Sequence, residues 1–231
     1  SVNFSRIGFL GMQMVGLEVL ALAFLMAGIK KGNLVLAGAA GAAGGLLLYS
    51  YLASPVAVAV LFLVLAQALA WPPESLPRKQ WPAFAGVFAA ALFLVFCPLG
   101  LHYLRHPGSF GSRTAQVSMW AQARQSGDWH EVRVSAQQHL RMFHQGGDRN
   151  GRHNIPGQPI VPAVVSGLAI LGAGAALRRI REPSGLVPLA LAAGMIQGGI
   201  WTLSWEAPQS YRPQGLMPAL PWLGALFLDQ V

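Results

Sequence analysis

The sequence predicts an all-α, polytopic membrane protein with about seven transmembrane helices and one long polar loop. Of its 231 residues, 54% are hydrophobic and only 10% are charged, whereas about a quarter of the residues in a soluble domain carry charge. Apolar runs long enough to cross a bilayer, about 17 to 23 residues each, recur along the chain with few charges inside them. The lipid bilayer is therefore the first predicted partner of this chain.

Seven apolar runs follow one another in order. They cover residues 7–29, 34–50, 56–71, 82–101, 160–177, 185–205 and 215–231. Two of the runs carry a pair of glycines spaced four residues apart, a spacing that favours close helix packing. These pairs are Gly41 with Gly45 and Gly194 with Gly198. We divide the single membrane domain into helices 1–4 (residues 1–104), a loop (105–159) and helices 5–7 (160–231).

The basic residues predict how the helices are oriented. Net charge is +8, but the cationic residues lie in the connections between apolar runs, a pattern that disfavours a nucleic-acid partner. Every second connection is cationic, with Lys30 and Lys31, then Arg78 and Lys79, then Arg178, Arg179 and Arg181. The positive-inside rule assigns these three connections to the cytoplasm. The loop at 105–159 is then extracytoplasmic.

The loop contains one amphipathic segment. Val132, Ala136, Leu140 and Phe143 recur at helical spacing between polar residues, which predicts an amphipathic helix on the outer leaflet. Histidines are scattered through the loop and its mouth, but their spacing matches no metal-binding signature. The single cysteine, Cys97, lies in an apolar run. We predict no cofactor, and a divalent metal held by these histidines is the alternative.

A polar cluster at residues 142–157 is the first candidate binding site. Asp148, Arg152, His153 and Asn154 accompany glycines that form turns, just before the fifth apolar run. The forked arginine side chain matches phosphate oxygens, and Asn and Asp side chains match sugar hydroxyls. The alternative is a solvated turn whose polar groups satisfy one another.

Charged residues at or inside the membrane boundary form the second group of candidates. Glu206 and Arg212 lie at the expected depth of a lipid headgroup, where they bind a ligand or form an ion pair without further function. Glu18 lies in the middle of the first run, so we expect it to face the interior of the helix bundle. There we expect Glu18 either to be neutral or to pair with Gln13 or Gln197.

Three stretches of sequence resemble one enzyme family. They are residues 3–8 (NFSRIG), residues 106–118 with His106-Pro107, Phe110 and RTAQVS, and residues 147–157 (GDRNGRHNIPG) with the later SWEAP and Arg212. Their order resembles that of the bacterial polytopic glycosyltransferases of family 39, relatives of the protein O-mannosyltransferases and of the aminoarabinose transferase of lipid A. The resemblance covers nearly the whole chain.

The resemblance implies the C-type glycosyltransferase fold. Such enzymes transfer a sugar from a polyprenyl-phosphate donor to an acceptor on the extracytoplasmic face, here of a bacterial plasma membrane. An acidic residue in the first outer loop acts as general base, and basic side chains stabilise the leaving phosphate. In the family that loop precedes the stretch containing Ser5. We therefore expect this chain to be the C-terminal portion of a longer protein or to need a membrane partner, with the catalytic residue outside it.

The resemblance also selects nine candidate substrate-binding residues. Arg6, Arg113, Arg152 and Arg212 are candidates for the donor phosphate, Asp148, His153, Asn154 and Glu206 are candidates for the sugar or the acceptor, and His106 completes the set.

Two other functions fit the same composition. A transporter or permease subunit would carry polar residues near the bilayer midplane and broken helices, and a non-enzymatic membrane assembly subunit would need no chemistry at all. The polar residues instead crowd the outer boundary, and only Glu18 lies clearly in mid-span. This distribution favours chemistry on a lipid-linked substrate at the membrane surface.

Overall fold

The computed structural model describes residues 10–109, 118–151, 153–201 and 207–230. Within these ranges the chain forms nine complete α-helices, three further helical residues at 107–109 and no β-strand. The complete helices are α1 (Leu10–Lys31), α2 (Leu34–Leu47), α3 (Ser54–Ala70), α4 (Trp81–Arg105), α5 (Trp120–Ser126), α6 (His130–Arg141), α7 (Ala163–Arg178), α8 (Pro183–Ile200) and α9 (Ala219–Leu228). Short 3-10 turns precede α4 (Arg78–Gln80) and α9 (Gln214–Leu216). The predicted all-α class agrees with this architecture.

Three helical segments are long and apolar enough to cross a membrane. They are Gly11–Lys31, Arg78–Arg105 and Pro183–Ile200. Four further apolar helices are shorter, and they coincide with the second, third, fifth and seventh predicted runs. The structure therefore supports a membrane protein with several apolar helices, while the number of seven crossings stays a prediction.

Glycines bring α2 and α4 into close contact. A Cβ atom at Gly41 would overlap the carbonyl oxygen of Phe88, and one at Gly45 would lie 2.7 Å from the Cβ of Val95. The predicted role of this glycine pair is confirmed. In α8, by contrast, only Gly194 abuts a neighbour, the side chain of Val56, whereas Gly198 borders open space. The spacing in α8 was interpreted as a second packing pair, and that interpretation is wrong for Gly198.

The three cationic connections lie at one end of the helix bundle. The hydroxyl of Ser75 donates to the carbonyl of Ile29 at 3.0 Å, which joins the connection after α1 to the one before α4. The amide of Gln67, near the end of α3, donates to the carbonyl of Ile180 at 3.0 Å. We call this the cationic end. The three cationic connections thus share one end, which agrees with the prediction that every second connection lies on the same side.

The opposite end of the bundle carries the long loop. The backbone N–H of Met119 donates to the carbonyl of Trp201 at 2.9 Å, and the hydroxyl of Ser135 donates to the carbonyl of Ile200 at 2.8 Å. Both bonds tie the loop to the last turn of α8. We call this the polar end.

The predicted amphipathic helix forms as α6, and its place on the outer leaflet stays a prediction. Its apolar spacing does not reveal which face packs on the protein. Val132, Ser135 and His139 are buried, whereas Leu140 is 54% exposed. The reason is that α6 packs on the end of α8 with two polar residues facing inward, and hydrophobic spacing alone does not detect buried polar residues. The predicted stripe of apolar residues is therefore partly turned away from the protein.

Helix α4 extends past its neighbour α2 at the polar end. The hydroxyl of Tyr49, just beyond α2, donates to the carbonyl of Val95 at 2.9 Å and accepts from the N–H of Leu99 at 3.2 Å. From Val95 the helix continues to Arg105, which at 1.5 Å per residue is about 15 Å. The end of α4 therefore projects beyond the part of the helix that packs on α2.

Candidate functional site

The carboxylate of Asp148 is the centre of a hydrogen-bonded cluster at the polar end. Its Oδ1 accepts from the N–H of Asn150 at 2.8 Å. Its Oδ2 accepts from Nδ1 of His153 at 2.8 Å, and from the N–H and hydroxyl of Ser210 at 2.9 and 3.1 Å. Asp148 is only 3% exposed. These bonds join the loop before α7 to the segment after α8, 62 residues further along the chain.

Asp148 is held in its ionised form by these donors. Burial alone would raise the pKa of the carboxyl group, but the hydrogen bonds from His153, Asn150 and Ser210 outweigh burial, so that the pKa of Asp148 lies below its ordinary value. A carboxylate offers about four acceptor positions, and four hydrogen bonds already reach this one. Asp148 is therefore a structural clamp between two segments, and little of it is left to bind a sugar.

His139 forms a second buried link to the same segment. The ring is 0% exposed. Its Nδ1–H donates to the carbonyl of Ser135 at 2.9 Å, and its Nε2 accepts from the backbone N–H of Gln209 at 3.2 Å. These partners select the neutral ring with the proton on Nδ1. Burial lowers the pKa of His139 below its ordinary value, the Arg212 charge lowers it further, and the Ser135 carbonyl and Asp148 oppose the shift.

Residues 207–214 cross the polar end between these two links. The side chain of Gln209 accepts a hydrogen bond from Nε of Arg212. The ring of Tyr211 stacks on the ring of His153 with centroids 5.6 Å apart, and it meets the ring of Tyr51 edge-on at 5.0 Å. Its hydroxyl accepts from the N–H of Gly11 at 3.4 Å. The segment is thus held by α1, by α6, by the loop before α7 and by the α2–α3 connection.

A cavity of about 420 Å³ opens beside this segment, within the range of about 300 to 1,000 Å³ that is typical of small-molecule sites. Its walls come from the α2–α3 connection, the outer turns of α8 and the start of α5. The lining residues are Tyr51, Leu52, Ala53, Val56, Ser118, Trp120, Gly194, Met195, Gln197, Gly198, Trp201 and Arg212. Arg212 is the only side chain among them that carries a formal charge. Within the part of the chain that the structure describes, the cavity therefore combines apolar and aromatic walls with one arginine.

Three tryptophans frame one side of this cavity. Trp120 and Trp201 line it and meet edge-on with ring centroids 4.6 Å apart. Trp129 contacts both of them at 5.8 and 6.3 Å. Trp120 and Trp129 are partly exposed, as is common for tryptophan at the boundary between lipid and water. Their rings supply flat apolar surface at the polar end of the bundle.

The predicted site residues divide into three groups. Asp148, His153 and Asn154 lie in the loop before α7, and Arg212 lies on the segment at 207–214 that Asp148 holds through Ser210. His106 lies elsewhere, on the projecting end of α4, where it stacks on His102. Arg6, Arg113, Arg152 and Glu206 lie outside the described residues.

Asn154 and His153 are engaged within the protein. The amide of Asn154 donates to the carbonyl of Gln158, and Nδ1 of His153 is bound to Asp148. The bonds within this loop agree in part with the predicted alternative, a solvated turn whose polar groups satisfy one another, but Asp148 is buried and also binds Ser210. Among the predicted residues that the structure describes, Arg212 borders the cavity.

Four residues important to this site were not selected from the sequence. They are His139, Gln209, Ser210 and Tyr211. A signal for His139 does exist, because Ser135 and His139 are four residues apart and so share one face of a helix. For the other three, the partners lie far away in sequence and the local pattern is that of an ordinary loop.

Glu18 faces the bundle interior, as predicted, and is 1% exposed. Gln13 and Gln197 are exposed and are not its partners. Its carboxylate lies against Gly215 and beside Met195, and no hydrogen-bond partner reaches it from the part of the chain that the structure describes. Among those same residues, no three His, Cys, Asp or Glu side chains come together as a metal site would require.

The cavity, the tryptophan frame and Arg212 thus form a candidate site for an amphiphilic anion at the polar end. Comparison of the chain with protein-family models, with curated proteins and with solved structures finds no match.

Proposed function

We propose that this chain is a membrane glycosyltransferase, or the C-terminal part of one, that uses a polyprenyl-phosphate-linked sugar. Transfer takes place on the extracytoplasmic face of a bacterial plasma membrane, within a C-type fold of seven membrane crossings. The sequence resemblance to family 39 motivates the reaction. The observation that carries the proposal is the apolar cavity with Arg212 at its wall.

The chemistry of the cavity suits a lipid phosphate. Its aromatic and aliphatic walls exclude water from an isoprenoid chain, because burial of apolar surface drives binding. A guanidinium group next to such walls forms charge-assisted hydrogen bonds with phosphate oxygens. During transfer of the sugar, negative charge develops on the departing phosphate, and the fixed positive charge of Arg212 lowers the energy of that state.

The position of the cavity supports the same proposal. It lies at the polar end, opposite the three cationic connections. When the cationic end faces the cytoplasm, as the positive-inside rule requires, the cavity opens toward the extracytoplasmic leaflet. A donor lipid in that leaflet reaches it with the phosphate at headgroup level.

The remaining candidates belong to this proposal in different ways. Arg6, Arg113 and Arg152 are proposed to assist Arg212 with the phosphate, and Glu206 and His106 are proposed to contact the sugar or the acceptor. Asp148 and His153 are proposed to act indirectly, because their hydrogen bonds fix the segment that carries Arg212.

Arg212→Ala tests the proposal. The probe is unsubstituted polyprenyl phosphate, titrated into the complete protein in nanodiscs, with tryptophan fluorescence as readout because Trp120 and Trp201 line the cavity. Loss of a charge-assisted contact predicts binding weakened by about tenfold or more. The matched control is Arg124→Ala, an exposed arginine of α5, which we expect to bind like the wild type.

Sugar transfer is measured on the same samples. Donors with a panel of labelled sugars are supplied to the complete protein, and product formation by the wild type but not by Arg212→Ala supports an enzyme. Equal affinity of both proteins for polyprenyl phosphate would refute the assigned role of Arg212.

A transporter is the second candidate function, and Glu18 favours it. This buried carboxyl group has no hydrogen-bond partner among the described residues, and ionisable groups inside membranes often mark transport pathways. The test is movement of a lipid-linked sugar across the membrane of proteoliposomes. Movement without sugar transfer that is abolished by Glu18→Gln would establish this alternative. If the protein shows neither sugar transfer nor transport but forms a stable complex with another membrane protein, it is an assembly subunit.

A further inference from the structure

A continuous series of contacts connects the buried His139 to Arg212. Nε2 of His139 accepts from the backbone N–H of Gln209 at 3.2 Å, and the side chain of the same Gln209 accepts from Nε of Arg212. His139 in turn is fixed to its own helix through the carbonyl of Ser135. A histidine that does not itself line the cavity is therefore linked to the guanidinium group of Arg212 through the single residue Gln209.

We propose that His139, in its neutral form, is a positioning residue that holds Arg212 at the cavity through Gln209. Protonation of His139 then lowers the affinity of the site for a phosphate group. The inference rests on the proposed function in one respect, the binding of phosphate by Arg212.

Only the neutral ring can make both of its hydrogen bonds. Nδ1 carries the proton that is donated to Ser135, so Nε2 must have a lone pair for Gln209. A second proton on Nε2 would point directly at the N–H of Gln209, and two donors facing each other repel. The backbone of Gln209 would have to move away, and with it the side chain that holds Arg212.

The ring has little room to avoid this conflict by turning. A Cβ atom at Gly199 would lie 2.8 Å from Cδ2 of His139 and 3.1 Å from its Nε2, so the ring fills the space beside the α8 backbone. On its other side the ring contacts its own helix at Ser135, whose hydroxyl is bound to Ile200. Protonation must therefore displace the segment at Gln209 rather than rotate the ring.

The charges around His139 set the pH range of this effect. Burial and the positive charge of Arg212 favour the neutral ring, whereas Asp148 favours the protonated one. Asp148 is already engaged by His153 and Ser210. On balance the pKa of His139 lies below its ordinary value of 6.5, so the ring is neutral at neutral pH and gains its proton only in acid.

Two substitutions of His139 separate positioning from folding. Glutamine places an acceptor oxygen close to the position of Nε2 and gains no proton between about pH 5 and about pH 8, so His139→Gln should keep Arg212 in place throughout that range. Leucine fills similar space without an acceptor. His144→Gln is the matched control, because His144 is an exposed histidine just after the same helix.

The experiment is a titration of polyprenyl phosphate into the complete protein in nanodiscs at several pH values between about 5 and about 8. We expect wild-type affinity to fall in acid by about tenfold more than the affinity of His139→Gln, since a charged hydrogen bond is lost only in the wild type. His139→Leu should bind about tenfold more weakly than the wild type at every pH. The control His144→Gln should follow the wild type.

The phosphate also gains a proton at about pH 6. This change is common to all variants and cancels when they are compared at equal pH. A His139→Gln variant that retains the wild-type pH profile would overturn the inference. A His139→Leu variant that elutes like the wild type in size exclusion and binds with wild-type affinity would also overturn it. If Arg212→Ala binds as tightly as the wild type, the proposed function fails first; if only the His139 variants lack an effect, the inference alone fails.

Discussion

Asp148→Asn is a direct test of the clamp that organises the polar end. The substitution preserves the size of the side chain and replaces one oxygen with an NH₂ group. If that group takes the place of Oδ1, the N–H of Asn150 loses its acceptor. If it takes the place of Oδ2, three donors from His153 and Ser210 face another donor. The first orientation is the less costly and will be adopted.

The expected magnitude follows from that count. The N–H of Asn150 belongs to an exposed residue, so water can replace this bond and its loss costs about 0.5 to 1.5 kcal/mol. The loss of the negative charge weakens the three remaining bonds as well. Asp148→Ala removes all four bonds, three of them made by the largely buried His153 and Ser210, and should cost about 3 to 5 kcal/mol. Alanine should therefore destabilise the protein more than asparagine.

The assay is thermal unfolding in detergent, followed by size-exclusion elution of a fluorescent-protein fusion after heating. Asp128→Asn is the matched control, because Asp128 also accepts a backbone hydrogen bond, from His130 at 2.8 Å, but is exposed. Asparagine keeps that acceptor, so the control should leave the midpoint unchanged. A midpoint for Asp148→Asn equal to that of Asp128→Asn would refute the clamp.

Two further predictions concern stability. Gly41→Ala should destabilise the protein by about 1 to 3 kcal/mol, because α2 and α4 must separate to admit a Cβ at the Phe88 carbonyl. Gly38→Ala in the same helix should be neutral or stabilising, since its Cβ would make an ordinary 3.4 Å contact with Val87. The same heating assay compares the two variants. A Gly38→Ala protein less stable than Gly41→Ala would contradict the described packing of α2 on α4. Acid should also destabilise the protein in two steps. The pKa of His139 is lowered on folding, so the unfolded chain binds the additional proton as pH falls below 6.5. The pKa of Asp148 is lowered too, so its contribution is lost as pH falls below 3.8. The midpoint temperature of unfolding should decrease as pH falls below 6.5 and decrease again below 3.8. His139→Gln should remove the first decrease.

The apolar helices could be predicted from the sequence because their signal is local. Length, hydrophobicity and the bordering charges locate each run within a few residues of the observed helix, as for the run at 82–101 and α4 (Trp81–Arg105). The Gly41–Gly45 pair could be predicted for the same reason, since close packing depends on residues of one helix face. Gly194 and Gly198 have the same spacing and both line the cavity, but only Gly194 meets a neighbouring helix, at Val56. Spacing alone cannot reveal this difference.

The candidate site could be predicted only in part, because its contacts join distant parts of the chain. Asp148 and Arg212 were selected as polar residues near a membrane boundary. Their arrangement depends on Ser210, which is 62 residues from Asp148, and on Gln209, which is 70 residues from His139. A single sequence contains no signal for such pairings. The buried polar face of α6 was missed for a related reason, since apolar periodicity treats a buried serine or histidine as exposed.

The unequal lengths of α2 and α4 have a consequence for the surrounding lipid in the proposed seven-span arrangement. The 14 residues of α2 measure about 21 Å and the 25 residues of α4 about 37 Å, whereas the hydrocarbon layer of a typical bilayer is about 30 Å thick. Lipid chains next to the exposed Val35 and Leu46 of α2 must therefore compress, at a modest elastic cost for each ångström of mismatch. Shorter acyl chains reduce that cost, so the protein itself favours a thin patch of membrane along this edge.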